Sequence, residues 1–266
     1  SQNTVHSLVN TNPTAAASVT GIVNSLPLVT NNTLARNFVH SLNLQSTALT
    51  GIVTGIQLNA GTTNVQNNMI RLGVDAAGND ITDGYVFFGI REAAGNNNVH
   101  FNSVYIGGSG VSAGASNTFA FTSAVTTGSR NYLSNIFYNA RSNGAGTGKH
   151  YAITFGGTTP NPVGVASNYN DLFAPGTGGH IGLYNAADQT SLANWRTATG
   201  NDFQSVSDNP QFVAPNGNAA TVDLHIQTGV ATVVEGGGQP VLAASDDFDG
   251  QARNGLSPTD IGADAG

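Results

Sequence analysis

The sequence has no cysteine, one methionine, one tryptophan and one lysine, and only 9% of its residues are charged. The absence of cysteine excludes disulfides and thiol chemistry. Soluble domains usually carry about 25% charged residues, so this chain must stay soluble mainly through neutral polar side chains. Eight basic residues against fifteen acidic ones give a net charge of −7, which offers no electrostatic support for nucleic-acid binding.

Long apolar runs are also lacking, and helical periodicity is nearly absent. No stretch approaches the ~20 apolar residues that a membrane-spanning helix needs, and no basic-then-apolar signal peptide is present. No glycine-rich phosphate loop precedes a helix. We therefore expect no transmembrane segment and no nucleic-acid partner.

What the sequence does contain is a repeat marked by asparagine. Six asparagines each lie two residues before an apolar residue, and they follow one another at intervals of 34, 31, 34, 33 and 35 residues: Asn3, Asn37, Asn68, Asn102, Asn135 and Asn170. A second apolar register runs from Ile22 to Leu183 with nearly the same period, and glycine or alanine precedes each of its six members. Two registers that share one period indicate a single structural unit, copied about six times.

The unit has the local pattern of β-structure. Segments such as 118–123 and 150–155 alternate large apolar with small or polar residues, as a strand with one buried face does. Between them lie turn-forming clusters of Gly, Asn, Ser and Thr, for example at 59–64 and 141–148. Such a short unit cannot bury its apolar face alone, so its copies must stack. The sequence predicts an all-β, single-stranded β-solenoid of about six or more coils.

The repeat crosses every candidate domain boundary up to about residue 185. We expect one domain, with β-helix coils at 1–188 and C-terminal coils with a cap at 189–266. Residues 1–8 match residues 35–42, which places residue 1 inside a repeat and leads us to expect a longer precursor.

One short capping helix is predicted near the C-terminus. Thr190 or Ser191 can cap its start, Leu192 and Trp195 share a face, and Gly200 can end it. We expect Trp195 to plug the side or the end of the solenoid.

These features resemble a known superfamily. The period, the asparagine columns and the segment 191–212 resemble right-handed parallel β-helix proteins of the pectate-lyase-like superfamily. Asp-Phe-Asp-Gly-Gln-Ala-Arg at 247–253 and Asp-Ile-Gly-Ala-Asp at 260–264 resemble the closing signature of its large bacterial secreted or surface members. The resemblance implies a right-handed coil, an extracellular or bacterial cell-surface location and a carbohydrate-rich environment. It does not imply an enzyme, because fold does not fix function.

The asparagine columns are expected to be structural. Equivalent positions on successive coils lie roughly 4.8 Å apart, so stacked amides can donate to and accept from one another. The residues three positions after each asparagine should face outward, and they form a column of aromatic and cationic side chains: His6, His40, Arg71, Tyr105, Tyr138 and Phe173. Such a stripe either stabilises the sheet through neighbour contacts or binds a polysaccharide or cell-surface glycan.

Catalytic candidates come from two sparse charge clusters. The first runs from Arg71 and Asp75 through Asp80 and Asp83 to Arg91 and Glu92, and the second contains Arg130, Arg141, Lys149 and His150. From these clusters we select six residues as catalytic candidates: Arg71, Asp75, Arg91, Glu92, Lys149 and His150. A polysaccharide lyase needs a base and a cation, and a glycoside hydrolase needs two nearby carboxylates. Either activity requires these charges to converge in one groove.

No cofactor is expected. A glycine-turned loop with Asp247 and Asp249 offers oxygen ligands to Ca²⁺, but the alternative is a solvated turn that places Arg253 against Asp260 or Asp264. Short strands at 240–243 and 260–263 would let the C-terminal segment complete the first coil of another copy, giving end-to-end self-association. The sequence thus favours an extracellular structural or adhesive module, glycan-binding or filament-forming, with a polysaccharide lyase or glycoside hydrolase as the alternative.

Overall fold

The computed structural model describes residues 1–14, 16–26, 31–253 and 258–264. The chain coils as a β-solenoid in which strands of successive coils pair in parallel and build three sheets. It completes about 5 turns, and the predicted all-β solenoid with a short helix near the C-terminus is confirmed. Within the described residues, no helix is long and apolar enough to span a membrane.

The three sheets take one strand from each coil in turn. Sheet 1 contains β1 (Thr4–His6), β5 (Phe38–His40), β9 (Met69–Leu72), β12 (Ser103–Ile106), β15 (Ile136–Asn139) and β18 (Asp171–Phe173). Sheet 2 contains β3 (Ser18–Asn24), β7 (Ile52–Leu58), β10 (Val86–Glu92), β13 (Thr118–Ser123), β16 (His150–Phe155) and β19 (Gly179–Tyr184), with β20 (Ala187–Gln189) added antiparallel at its end. Sheet 3 contains β4 (Asn31–Ala35), β8 (Thr62–Gln66), β11 (Asn98–His100), β14 (Arg130–Leu133) and β17 (Val165–Asn168).

Two short pairs complete the strands of the described chain. The first pair is parallel and consists of β2 (Val9–Asn10) and β6 (Asn43–Leu44). The second pair is antiparallel and consists of β21 (Phe212–Ala214) and β22 (Asp223–Ile226). It belongs to the C-terminal segment, residues 203–264, which follows the helix.

The corner between sheets 3 and 1 has the same backbone geometry in every coil. The residue before each of the six repeat asparagines has a positive φ, between 52° and 61°: Gln2, Arg36, Asn67, Phe101, Ser134 and Tyr169. A side chain in this left-handed region costs roughly 1–2 kcal/mol. The following asparagine supports the corner, because its amide donates to the carbonyl two residues upstream, as Asn102 does to His100 at 3.0 Å.

The glycine and alanine column of sheet 2 faces the interior. Strand pairing joins Phe88 to Phe119 and Ile90 to Phe121 in one register, and it is interrupted between them, where Gly89 lies opposite Ala120. A Cβ on Gly89 would lie 2.3 Å from Cγ1 of Val104, which is why the position needs a small residue. Sheets 1 and 2 can approach each other closely at this column.

The second register does not continue to Leu183 as its spacing predicts. Ile153 pairs with Gly182, and Leu183 pairs with Thr154. A Cβ on Gly182 would lie 2.3 Å from Cε3 of Trp195. Trp195 therefore occupies the space that an inward aliphatic side chain would have filled.

The helix α1 (Leu192–Thr199) closes one end of the apolar interior. The side chain of Ser191 caps it by accepting from the backbone N–H of Asn194, and Gly200 ends it with a φ of 65°. Trp195 is fully buried, packs edge-on against Phe155 at 4.9 Å between ring centroids, and donates its indole N–H to Asp202 at 2.8 Å. The predicted helix, with its cap and its terminal glycine, is confirmed.

The C-terminal segment folds back over the outer face of sheet 1. A second apolar cluster joins Met69 and Ile136 of that sheet to Phe212, Leu224 and Ile261 of the segment. The backbone N–H of Gly262 donates to the carbonyl of Ser134 at 2.9 Å. Residues 240–243 and 260–263 contain no strand. The expectation of short strands there is therefore wrong for the chain by itself, in which residues 260–263 pack against sheet 1. End-to-end self-association stays a prediction.

Candidate functional site

The six repeat asparagines form one hydrogen-bonded column in the interior. Each amide nitrogen donates to the side-chain oxygen of the next asparagine, at distances between 2.8 and 3.1 Å: Asn3 to Asn37, Asn37 to Asn68, Asn68 to Asn102, Asn102 to Asn135 and Asn135 to Asn170. Asn170 then donates to Asp202 at 2.9 Å. Five of the six are fully buried, so this column supports the coil corners and presents no surface to a ligand.

A second asparagine column lies on sheet 3, and sequence analysis missed it. Asn98 donates to Asn64 at 2.9 Å, and Asn131 donates to Asn98 at 2.6 Å. All three side chains are half-buried. The period alone could have revealed them, because they lie 34 and 33 residues apart.

The predicted aromatic and cationic stripe is one column of sheet 1. Strand pairing aligns its members from His6 to His40, Arg71, Tyr105, Tyr138 and Phe173. The expectation of an exposed stripe is wrong for its centre, since His40, Arg71 and Tyr105 are 2%, 0% and 5% exposed. The side chains do leave the coil, but the C-terminal segment covers them.

Contacts with the C-terminal segment explain this burial. Arg71 donates to the carbonyl of Gly217 at 2.5 Å, and the hydroxyl of Tyr105 donates to Asn216 at 2.9 Å. Burial lowers the pKa of Arg71 to about 10, and burial together with the Arg71 charge lowers the pKa of His40 to about 4. The centre of this column therefore forms part of the surface on which the C-terminal segment packs.

The catalytic candidates of the first cluster do not converge. Glu92 is fully buried inside the coil and accepts from Asn97, Ser123 and Tyr132 at 2.8, 2.5 and 2.6 Å. A carboxylate held by three donors and shielded from solvent has no access to a substrate. Burial and the negative charge of Glu92 both raise the pKa of Tyr132.

The other members of that cluster serve different parts of the surface. Asp75 accepts from the backbone N–H groups of Ala77 and Asn79 at 2.9 and 2.8 Å and so closes its own turn. Arg91 lies on the outer face of sheet 2, with its guanidinium carbon 4.7 Å from the ring centroid of Phe88. Asp75 lies beside Arg71, whose guanidinium donates to the Asp75 backbone carbonyl at 3.3 Å. Among the described interactions, Arg91 contacts neither Arg71 nor Asp75.

Lys149 and His150 also have separate structural partners. Lys149 forms an ion pair with Asp188. The ring nitrogens of His150 lie 2.9 Å from the Thr118 hydroxyl and 3.0 Å from the Asn143 side-chain oxygen. Burial, aided by the charge of Arg141, lowers the pKa of His150 to about 4, so this histidine is neutral at pH 7 and turned inward.

The two carboxylates of the candidate Ca²⁺ loop diverge. Asp247 is fully buried and accepts from the backbone N–H of Gln251 at 2.7 Å, whereas Asp249 turns to the surface and lies 3.0 Å from Nε2 of His225. Sequence analysis missed His225. The alternative placed Arg253 against Asp260 or Asp264, and the charges of both carboxylates do act on the Arg253 guanidinium.

Arg253 is held mainly by backbone carbonyls. It donates to the carbonyls of Asp246, Gly262 and Ala263 at 3.0, 2.7 and 3.0 Å. Its guanidinium carbon also lies 4.2 Å from the ring centroid of Phe101. The residue thus fastens the C-terminal segment to a coil corner.

The outer face of sheet 2 provides a surface that the C-terminal segment leaves open. Phe88 and Phe119 are half-exposed and stack at 5.4 Å with ring planes 11° apart. Phe119 also stacks on Tyr151 at 5.3 Å, but Tyr151 is buried, so the open part of this column ends at Phe119. Beside this stack, on the same face, runs a column of half-exposed polar side chains: Gln57, Arg91, Thr122 and Thr154. We call these two columns the sheet 2 platform.

Comparisons of the chain with protein-family models, with curated proteins and with solved structures found no match. The fold assignment therefore rests on the architecture described above.

Proposed function

We propose that this chain is an extracellular structural and adhesive module of a bacterial cell surface, and that its sheet 2 platform binds a polysaccharide or a cell-surface glycan. The low charge content and the neutral polar surface support this location. The resemblance of segments 191–212, 247–253 and 260–264 to the pectate-lyase-like superfamily supports it as well. The interior asparagines are hydrogen-bonded to one another along the solenoid, and such a column suits a rigid module that supports a binding surface.

The observation that carries the binding proposal is the half-exposed pair Phe88 and Phe119 beside Arg91. Aromatic side chains present a large apolar area, and the half-exposed edges of the two stacked rings form an apolar strip against which the C–H groups of a sugar ring can pack. The Arg91 guanidinium, held over the Phe88 ring, keeps donors available for hydroxyl or carboxylate groups. An apolar strip beside a hydrogen-bonding strip therefore matches the amphipathic shape of a pyranose chain.

The polar column extends this match along the solenoid. Gln57, Arg91 and Thr122 occupy successive strands, which lie about 4.8 Å apart. An extended polymer that runs along the stack would meet one hydrogen-bonding side chain per coil. We therefore expect an elongated glycan to bind better than a monosaccharide.

Glycan-array binding tests this proposal. The parent protein should be retained by a subset of polysaccharides, and the double variant Phe88→Ala/Phe119→Ala should bind them at least tenfold more weakly. Phe203→Ala is the matched control, since this phenylalanine is 61% exposed and lies away from the platform. Retention of the double variant equal to that of the parent, or no retention of the parent by any glycan, would refute the proposal.

A further inference from the structure

A histidine and two aspartates converge on the surface of the C-terminal segment, away from the sheet 2 platform. They are His225 on β22, Asp249 in the turn after Asp247, and Asp264 near the end of the described chain. One nitrogen of the histidine and one oxygen of each carboxylate lie within 4.8 Å of one another. His225 and Asp249 have side chains that are 32% and 48% exposed, so an ion in solution can reach them.

A fourth residue fixes the orientation of the imidazole. Nδ1 of His225 lies 2.5 Å from Oδ1 of Asp223, and the same oxygen accepts from the backbone N–H of His225 at 2.9 Å. A carboxylate at Nδ1 favours the tautomer that carries its proton there, as in the carboxylate–histidine pairs of metal sites. Nε2 faces Asp249 at 3.0 Å, where a protonated ring donates to that carboxylate in the metal-free site. A metal ion bound at Nε2 would replace this proton.

Backbone contacts hold the second carboxylate. Oδ2 of Asp264 accepts from the backbone N–H of Ile226 at 2.9 Å, which places Asp264 beside His225. The ring of Phe248 packs edge-on against the imidazole at 5.7 Å. The three ligands thus come from three separate stretches of the segment, and His225 and Asp264 are held by hydrogen bonds of their own.

The charge balance at this point calls for a cation. Asp223, Asp249 and Asp264 bring three carboxylates around one imidazole. A protonated His225 and the Arg253 guanidinium, whose charge interacts with Asp264, would together balance only two of them. Glu235 lines the adjoining groove of about 570 Å³ together with His225 and Asp264, and adds a fourth acidic group. A divalent ion at Nε2 would neutralise the carboxylates and use the lone pair.

We propose that His225, Asp249 and Asp264 bind a divalent transition-metal ion of the Zn²⁺ type, with Asp223 as the outer carboxylate that orients the histidine. A nitrogen ligand favours Zn²⁺ over Ca²⁺ or Mg²⁺, which prefer all-oxygen sites. In a tetrahedral site, bonds of about 2.1 Å place two ligand atoms about 3.4 Å apart. The ligand atoms, now within 4.8 Å of one another, must therefore move closer by up to about 1.4 Å, and rotation of the exposed Asp249 side chain supplies part of this movement. Water from the groove fills the remaining coordination positions.

Isothermal titration of the chelator-treated, tag-free chain with Zn²⁺, combined with elemental analysis after dialysis, tests this site. We expect one Zn²⁺ per chain. His225→Ala and Asp249→Asn should abolish that binding, and Asp223→Asn should weaken it by about 10- to 100-fold, as loss of an outer-shell partner does. His6→Ala and Asp208→Asn are controls for an exposed histidine and an exposed aspartate, and they should bind like the parent.

Asp249→Asn separates binding from folding, because this exposed side chain contacts only His225 among the described hydrogen bonds. Its urea unfolding curve without metal should match that of the parent. Absence of stoichiometric Zn²⁺ binding by the parent would overturn the proposal. So would stoichiometric binding that His225→Ala and Asp249→Asn leave intact.

Discussion

Removing one amide from the middle of the interior asparagine column should destabilise the fold far more than removing one from the half-exposed column on sheet 3. In Asn102→Ala, the protein loses an amide nitrogen whose two N–H donors are shared among three acceptors, on Val65, His100 and Asn135, at 2.9, 3.0 and 2.9 Å. It also loses two bonds accepted by the side-chain oxygen, from the backbone N–H and the amide of Asn68 at 3.0 and 2.8 Å.

The magnitude follows from which groups lose their partners. The Asn68 amide keeps the carbonyls of Leu34 and Gln66, but its backbone N–H loses the acceptor that Asn102 provides. A buried donor without an acceptor costs about 1–3 kcal/mol, and each net hydrogen bond contributes about 0.5–1.5 kcal/mol. We expect a total loss of about 3–5 kcal/mol, a large share of the 5–15 kcal/mol typical of a folded domain.

Urea unfolding followed by circular dichroism measures this loss, with Asn98→Ala as the matched control. Asn98 also donates to one asparagine and accepts from another, but it is half-exposed, so water can replace its partners. We expect the control to lose less than about 1 kcal/mol. Equal unfolding midpoints for Asn102→Ala and Asn98→Ala would refute the argument that burial of the column stabilises the coil corners.

Two further predictions concern the interior. Gly89→Ala should lower the free energy of unfolding by about 1–3 kcal/mol, as overpacking does, because its Cβ would lie 2.3 Å from Val104 and 2.4 Å from the carbonyl of Ala120. Gly156→Ala is the control. A Cβ there would have no atom closer than 3.3 Å, so the free energy of unfolding should hardly change in the same urea assay. Burial raises the pKa of Asp171 from 3.8 to about 8, so the folded state binds the extra proton between these values and stability falls as pH rises from about 4 to 8. Asp171→Asn should remove that loss, which is on the order of 5 kcal/mol at most. Comparing the variant with the parent at pH 4.5 and 8.5 cancels the other titrating groups, and a difference that does not change between the two pH values would contradict the prediction.

The parts of the fold that could be predicted are those in which a particular backbone geometry requires a particular residue type. Asparagine recurs because its amide both donates and accepts hydrogen bonds at the corner between sheets 3 and 1. Ser191 has a side chain that can cap the start of a helix, and Gly200 readily adopts the positive φ that ends one. The left-handed corner residues carried no such signal. Phe101 and Ser134 occupy equivalent positions, and neither is a usual choice for a positive φ.

The surface was harder to predict, for a physical reason. Alternation along a strand tells which side chains leave the coil, but it does not tell what packs on them afterwards. Tyr105 points away from the coil as expected and is nevertheless covered, because Phe212 lies over it at 6.3 Å between ring centroids. The cluster of His225, Asp249 and Asp264 was missed because its members are far apart in sequence and share no repeat position.

Covalent footprinting of the protein bound to a retained polysaccharide tests the proposed function most directly. The platform proposal predicts that labelling of Phe88, Phe119 and Arg91 falls when the polysaccharide is present, while Tyr138 and Phe173 of sheet 1 and Phe203 keep their labelling. Protection confined to sheet 1 or to the C-terminal segment, with the platform labelled as in the free protein, would contradict it.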